Sequence, residues 1–234
     1  MESIPAVLAS AASVALLHTV LGPDHYLPFI AIGKARNWSL SKTAWITGLS
    51  GLGHVLSSVV LGFTGIAAGI ALDRLSLTES TRGNVSAWML TAFGLVYGLW
   101  GIRRAVQNKP HQHKHTHPDG TVHMHTHIHK KDHHHLHTEE KKNITPWILF
   151  IIFVFGPCEP LIPLMMVPTV VSSIGNVFLV AGVFSVVTIA TMMSIVLLSA
   201  KGLNFVSLKP LERYSHAIAG FIIVLCGVAI FLGL

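Results

Sequence analysis

Charge is missing from long stretches of this chain and crowded into the segments between them. Six apolar runs stand out: Ile4 to Ala35, Thr43 to Leu72, Val85 to Val106, Thr145 to Val167, Asn176 to Leu198 and Tyr214 to Leu234. A hydrocarbon core about 30 Å thick is crossed by roughly 20 apolar residues at helical rise, and each run supplies them. In lipid every backbone N–H and C=O must be satisfied within the protein, so such runs fold as helices. The expected fold is an all-α polytopic membrane protein with six transmembrane helices. Only 11% of the 234 residues are charged and the mean hydropathy is +0.61, which excludes a soluble amphipathic bundle. The first run lacks a basic leader and a small-residue cleavage pattern, so it is expected to be retained as a helix. Cys158 and Cys226 both lie in apolar runs, which argues against an extracellular disulfide framework.

Basic residues collect in alternate connections. Lys34, Arg36 and Lys42 follow the first run; Arg103, Arg104, Lys109, Lys114, Lys130, Lys131, Lys141 and Lys142 follow the third; Lys201, Lys209 and Arg213 follow the fifth. These are 14 of the 16 Lys and Arg residues, and the other side keeps only Arg74 and Arg82. The positive-inside rule then predicts both termini outside and the long central connection in the cytoplasm, in the inner membrane of a bacterium or archaeon. Trp38, Trp45, Trp88, Trp100 and Trp147 fall near the ends of the runs, where an aromatic belt forms. Basic loops beside membrane spans also explain a pI near 9.6, so nucleic acid is not an expected partner.

The first run is too long for one straight span, and Gly22-Pro23 and Pro28 interrupt it, which predicts a broken helix. LGPDHYLPFI (Leu21 to Ile30) lines up with FGPCEPLIPLM (Phe155 to Met165) in the fourth run, so that run is expected to break likewise. Three spans separate the two motifs, so the chain reads as two inverted three-helix repeats, residues 1–107 and 144–234, around a loop at 108–143. Paired broken helices in inverted repeats are the pattern in which a transporter sets its binding site near the bilayer midplane.

Ionisable groups inside apolar spans are costly, so His18, Asp24, His25, His54 and Glu159 require a reason to be there. His18 and His25 are two helical turns apart, with Asp24 adding a hard oxygen and a negative charge. His54 brings a third imidazole, and Cys158 and Glu159 approach from the other repeat. Imidazole, carboxylate and thiolate together suit nickel, cobalt and zinc better than magnesium or calcium. A lone intramembrane histidine is often only a link between helices, and a lone buried cysteine is often only a packing residue. His54 and Cys158 taken singly carry both readings. His216 belongs to no constellation and is read as an interfacial residue.

HTVLGPDH (His18 to His25), with LGHVLSSVV (Leu52 to Val60) in the second run, resembles the nickel/cobalt transporter family. That family's hallmark is a His, four residues, then Asp-His, with a Leu-Gly-His motif in a later span. The resemblance implies that His18, Asp24, His25 and His54 are metal ligands along the transport path. Five residues separate His18 from Asp24 here, a difference of about 100° on a continuous helix that the Gly-Pro break must absorb. GPCEPLIPLM is also similar to the Gly-Pro-Cys motif of the related transmembrane cytochrome c biogenesis and thiol-reductant carriers. Those use one cysteine in each repeat, whereas the first-repeat position here is Asp24, so thiol relay is disfavoured.

Between Pro110 and Thr138 lie 12 of the 16 histidines. His111, His113, His115 and His117, and then His123, His125, His127 and His129, alternate with other residues; His133, His134, His135 and His137 follow. Period two is the period of a strand, and Pro118-Asp119-Gly120 is a turn sequence, so the segment can close as a hairpin. Opposed Cβ atoms in a hairpin are roughly 5 Å apart, within reach of one chelated ion. Histidine-rich tracts of this kind bind metal.

The expected function is transmembrane transport of a divalent transition-metal ion, nickel or cobalt before zinc, with export favoured slightly over import. The ion is cargo, no tightly bound cofactor is expected, and the chain is not expected to be an enzyme. Its expected partners are the ion, membrane lipid and a cytoplasmic metallochaperone. The alternatives are a membrane thiol or electron carrier for cytochrome c or disulfide maturation, and an accessory protein that delivers metal without transporting it.

Overall fold

The computed structural model describes residues 3–107, 111–116, 122–127, 144–205 and 209–233. Helix α1 (Ile4–Leu21) opens with a proline in its first turn, where the missing N–H costs nothing, and stops at Gly22. Pro23 has no N–H to return to the helix. The chain instead makes a 3-10 turn over Pro23–His25 and restarts as α2 (Leu27–Ala35), again with proline in the first turn. The first span is therefore two half-helices, as Gly22-Pro23 and Pro28 predict.

Helix α3 (Leu40–Ala67) is capped by Ser39, whose hydroxyl accepts from the Lys42 N–H at 3.2 Å. Helix α4 (Leu72–Gln107) has 36 residues, about 54 Å at helical rise. It starts at Leu72 instead of Val85, which corrects the boundary read from hydropathy. Asp73, Arg74, Glu79 and Arg82 lower the apolar score of its first turns, yet Glu79 and Arg82 pair at i, i+3 and the helix continues through them. Trp88 thus lies well inside α4 and not at its end, edge-on to Phe231 with ring centroids 5.1 Å apart.

Strands β1 (His111–Thr116) and β2 (Val122–His127) pair antiparallel in the central connection. The fold is otherwise all-α among the described residues. Helices α5 (Thr145–Phe155), α6 (Leu161–Met165) and α7 (Pro168–Val171) follow, with the α5–α6 break at Gly156 to Pro160. Helix α8 (Ile174–Phe205), a 3-10 turn (Lys209–Tyr214) and α9 (Ser215–Phe231) complete the chain.

Five stretches, α1, α3, α4, α8 and α9 with its leading turn, are long and apolar enough to cross a membrane, and α5 is a shorter apolar helix. Leu21, Val96, Val186, Leu198 and Phe221 are each at least 63% exposed, an apolar exterior that lipid covers and water would not. This is a polytopic membrane protein.

Helix α4 packs along α9, α3 against α8, α1 against α8 and α3 against α5; α2 meets α9, while α4 meets α5 and α6. The α4–α9 contact is close because it runs over glycine. A Cβ added at Gly94 would stand 2.7 Å from the Val224 amide nitrogen, and Gly98 faces Gly220. Two apolar cores result. One gathers Phe29, Leu90, Phe153 and Ile223; the other gathers Val55, Leu161, Met165 and Phe184. The α1–α2 break and the middle of α3 lie where these cores meet.

Candidate metal centre

Three imidazoles converge at the first helix break. His18 sits in the last turn of α1, His25 ends the 3-10 turn and His54 lies midway along α3. The break folds the chain so that the His18 and His25 ring centroids are 4.7 Å apart and edge-on, and His25 and His54 stand 5.1 Å apart in the same way. One ring nitrogen from each residue lies within 4.8 Å of the other two. Among the described residues this is the one group of three or more His, Cys, Asp or Glu ligand atoms so arranged.

Contacts at Nδ1 orient two of the rings. His25 Nδ1 faces the Gly22 carbonyl at 3.1 Å and Asp24 Oδ1 at 3.2 Å, and His54 Nδ1 faces the Phe153 carbonyl at 3.3 Å. These partners only accept, so Nδ1 carries the proton in both rings and Nε2 keeps its lone pair. The Nε2 atoms of His18, His25 and His54 are all buried without a hydrogen-bond partner. Leaving three such atoms unmade is costly. His216, between α4 and α9, shows the ordinary alternative. Its Nδ1 meets Tyr97 Oη at 2.8 Å and its Nε2 meets Arg104 at 3.4 Å, so both nitrogens are occupied.

An ion bound by nitrogens at 2.0–2.1 Å in a tetrahedron has its ligands about 3.3 Å apart. The cluster, with ligand atoms within 4.8 Å of one another, is somewhat wider than that, so binding would need rotamer adjustments on the ångström scale, and three imidazoles would leave further positions for water. The histidine–carboxylate contact is the orienting arrangement common behind metal ligands. Asp24 touches His25 Nδ1 and stands outside the group of converging atoms. Gly22 leaves room for this: a Cβ there would lie 2.6 Å from His25 Nδ1 and 3.0 Å from Asp24 Oδ1.

The second break is built differently. Cys158 is buried in the apolar core and Glu159 is exposed; neither joins the three histidines. Helix-breaking frees backbone groups here too, but α4 satisfies them. Arg82 donates to the carbonyls of Val154 at 2.9 Å and Gly156 at 3.4 Å, and Glu79 Oε2 accepts the Cys158 N–H at 3.0 Å and the Ser58 hydroxyl at 3.3 Å. Arg82 and Glu79 also pair directly. Through Ser57, whose hydroxyl accepts from Arg82 at 2.7 Å and donates to the His54 carbonyl at 2.7 Å, the network reaches the His54 turn. Glu79 is only 1% exposed, although hydropathy places it in an outer connection. The signal that would have found it is the Glu79–Arg82 spacing, one turn apart and continuous with a helical run.

In the central connection the register sets His111 opposite His127, His113 opposite His125 and His115 opposite His123. Histidine pairs thus occupy alternate rungs, as the alternation predicts. His117, His129, His133, His134, His135, His137 and the Pro118-Asp119-Gly120 turn lie outside the described residues. No protein-family model, curated protein or solved structure matches the chain.

Proposed function

We propose that the protein carries a divalent transition-metal ion, nickel or cobalt, across the membrane through the His18, His25 and His54 site. The observation that carries this is the convergence of three imidazoles, each with a buried Nε2 that has no hydrogen-bond partner, in a polytopic membrane protein. Neutral imidazoles suit borderline divalent ions, and Asp24 supplies one compensating negative charge beside His25. A tight, closed site would trap its ion, whereas conduction requires binding weak enough to release it.

An arrangement of two inverted three-helix halves would support the same reading. Exchanging the two halves exchanges α1 with α5 and α3 with α8. Some contacts fit such an exchange: α1 against α8 has a counterpart in α5 against α3, and α2 against α9 in α6 against α4. Rocking of one half on the other, with His54 held to the Phe153 carbonyl of the second half, would expose the site alternately. The family resemblance carried by HTVLGPDH and LGHVLSSVV agrees, and the paired histidine rungs of the central connection fit a role in gathering ions on the basic side.

A thiol carrier is disfavoured because Cys158 and Cys226 are buried in separate cores. The test is uptake of nickel, cobalt, zinc and manganese into proteoliposomes loaded with a metal-sensitive dye. Transport predicts a dye response to nickel or cobalt that empty vesicles lack. Binding to the protein without a dye response would identify a delivery protein instead.

A further inference from the structure

A hydroxyl on a buried helix ordinarily bonds the carbonyl one turn back. Thr19, Thr64, Thr78, Thr81 and Ser185 all do so here. Thr47, Ser50 and Thr188 do not: each is 0% exposed and its hydroxyl oxygen has no partner. The Thr91 hydroxyl oxygen is also buried without a partner, but that residue is only partly buried and packs against Gly227 between α4 and α9, on another face of the bundle.

The three are placed along one line. Thr43, Thr47, Ser50 and His54 are spaced four, three and four residues apart on α3, which sets them on a single helical face. Helix α8 runs antiparallel along the adjoining face of α3, with Met193 against Gly48 and with Ile189 and Met192 against Gly51, each glycine one residue on from Thr47 and Ser50. Thr188, next to Ile189, is therefore level with the turn from Ser50 to His54. One end of the line is the three-histidine site. The other is a cavity of about 60 Å³ lined by Thr43, Lys34, Trp38 and Leu203, among others, where α2, α3 and α8 meet at the face that carries the basic connections.

We infer that Thr47, Ser50 and Thr188 line the passage between the three-histidine site and the basic face, their hydroxyl oxygens replacing an ion's hydration water in turn. The inference rests on the transport reading above. Its chemistry is that of a selectivity path: neutral oxygens compensate for lost hydration without adding the charge that would hold a divalent ion in place. The imidazoles select the ion, and the hydroxyls let it move.

The test uses the full chain in proteoliposomes. S50A and T188V remove hydroxyls while keeping shape, and the loss of one oxygen contact, comparable to one neutral hydrogen bond, slows passage about tenfold. The maximal nickel flux should fall by that factor in each variant with the half-saturating concentration unchanged, because the histidines are intact. An unchanged maximal flux would overturn the passage. Independently, S50C should react with a membrane-impermeant thiol reagent applied at the basic face and be protected by nickel. The buried Cys158 and Cys226 of the unsubstituted chain provide the baseline. An S50C no more reactive than that baseline would overturn the passage even if flux variants fold poorly. If the unsubstituted protein moves no metal, the transport reading fails, and thiol accessibility at position 50 still decides whether a water-filled path exists.

Discussion

Asp24 shows how a residue's role changes between sequence and structure. The resemblance implies a direct ligand; the structure puts its carboxylate on His25 Nδ1, where, on the proposed function, it would orient the ring and stabilise the charge of a bound ion. Replacing such an orienting partner costs about 10–100-fold in metal affinity. Asp24→Asn keeps the acceptor oxygen and removes the charge, so the half-saturating nickel concentration for flux should rise within that range while the protein still inserts. An unchanged value would show that Asp24 serves only the helix break. Arg82 makes a second case. Breaking a buried ion pair by removing one partner costs about 3–5 kcal/mol, since the other charge is left behind. Arg82→Gln should therefore lower the unfolding temperature in detergent sharply, and Glu79→Gln in the same chain should restore most of the loss. The three histidines were legible because an ionisable group in an apolar run is conspicuous. Glu79 and Arg82 were not, because their charges read as the end of a span, and only the contacts with Cys158 and Val154 show that they lie inside the protein.

Among the elements, the broken helices do most to create the site. Gly22-Pro23 and the matching Gly156-Pro157 announced both interruptions, since proline cannot continue a helix and its position in the chain fixes where the helix ends. What the motif does not reveal is what fills each gap. At the first break the freed space receives imidazoles; at the second, a guanidinium and a carboxylate from α4 take the loose carbonyls and N–H. The two motifs look alike, but His54 at the first break and Glu79 and Arg82 at the second are supplied by other helices. The polar face of α3 was open to reading from its period of three and four, and was hidden because serine and threonine in membrane helices usually satisfy themselves. Gly22 has a backbone conformation open to other residues, so its value is space. Gly22→Ala should weaken nickel binding about tenfold, or 1.4 kcal/mol, by pushing His25 from its place, without altering any ligand. Calorimetric titration of this variant beside the unsubstituted protein measures the shift, and identical curves would mean that the ring is not held by this contact.

For the molecule as a whole, orientation rests on 14 basic residues against two, and labelling at one position on each side checks it directly. A cysteine replacing Asp119 should be labelled only from the cytoplasmic side, and one replacing Asp73, exposed at the start of α4, only from outside. The reverse pattern would invert the topology and move the histidine-rich connection to the exterior. The central claim, that His18, His25 and His54 hold the transported ion, is tested most directly by the initial rate of nickel entry into proteoliposomes containing either unsubstituted protein or His54→Ala at matched protein levels. His54 is chosen because it joins the first-half cluster to the Phe153 carbonyl of the second half and lies apart from the histidine-rich connection. The account predicts flux well above empty vesicles for the unsubstituted protein and a fall to the empty-vesicle level for the variant. Flux through His54→Ala equal to that of the unsubstituted protein would contradict it.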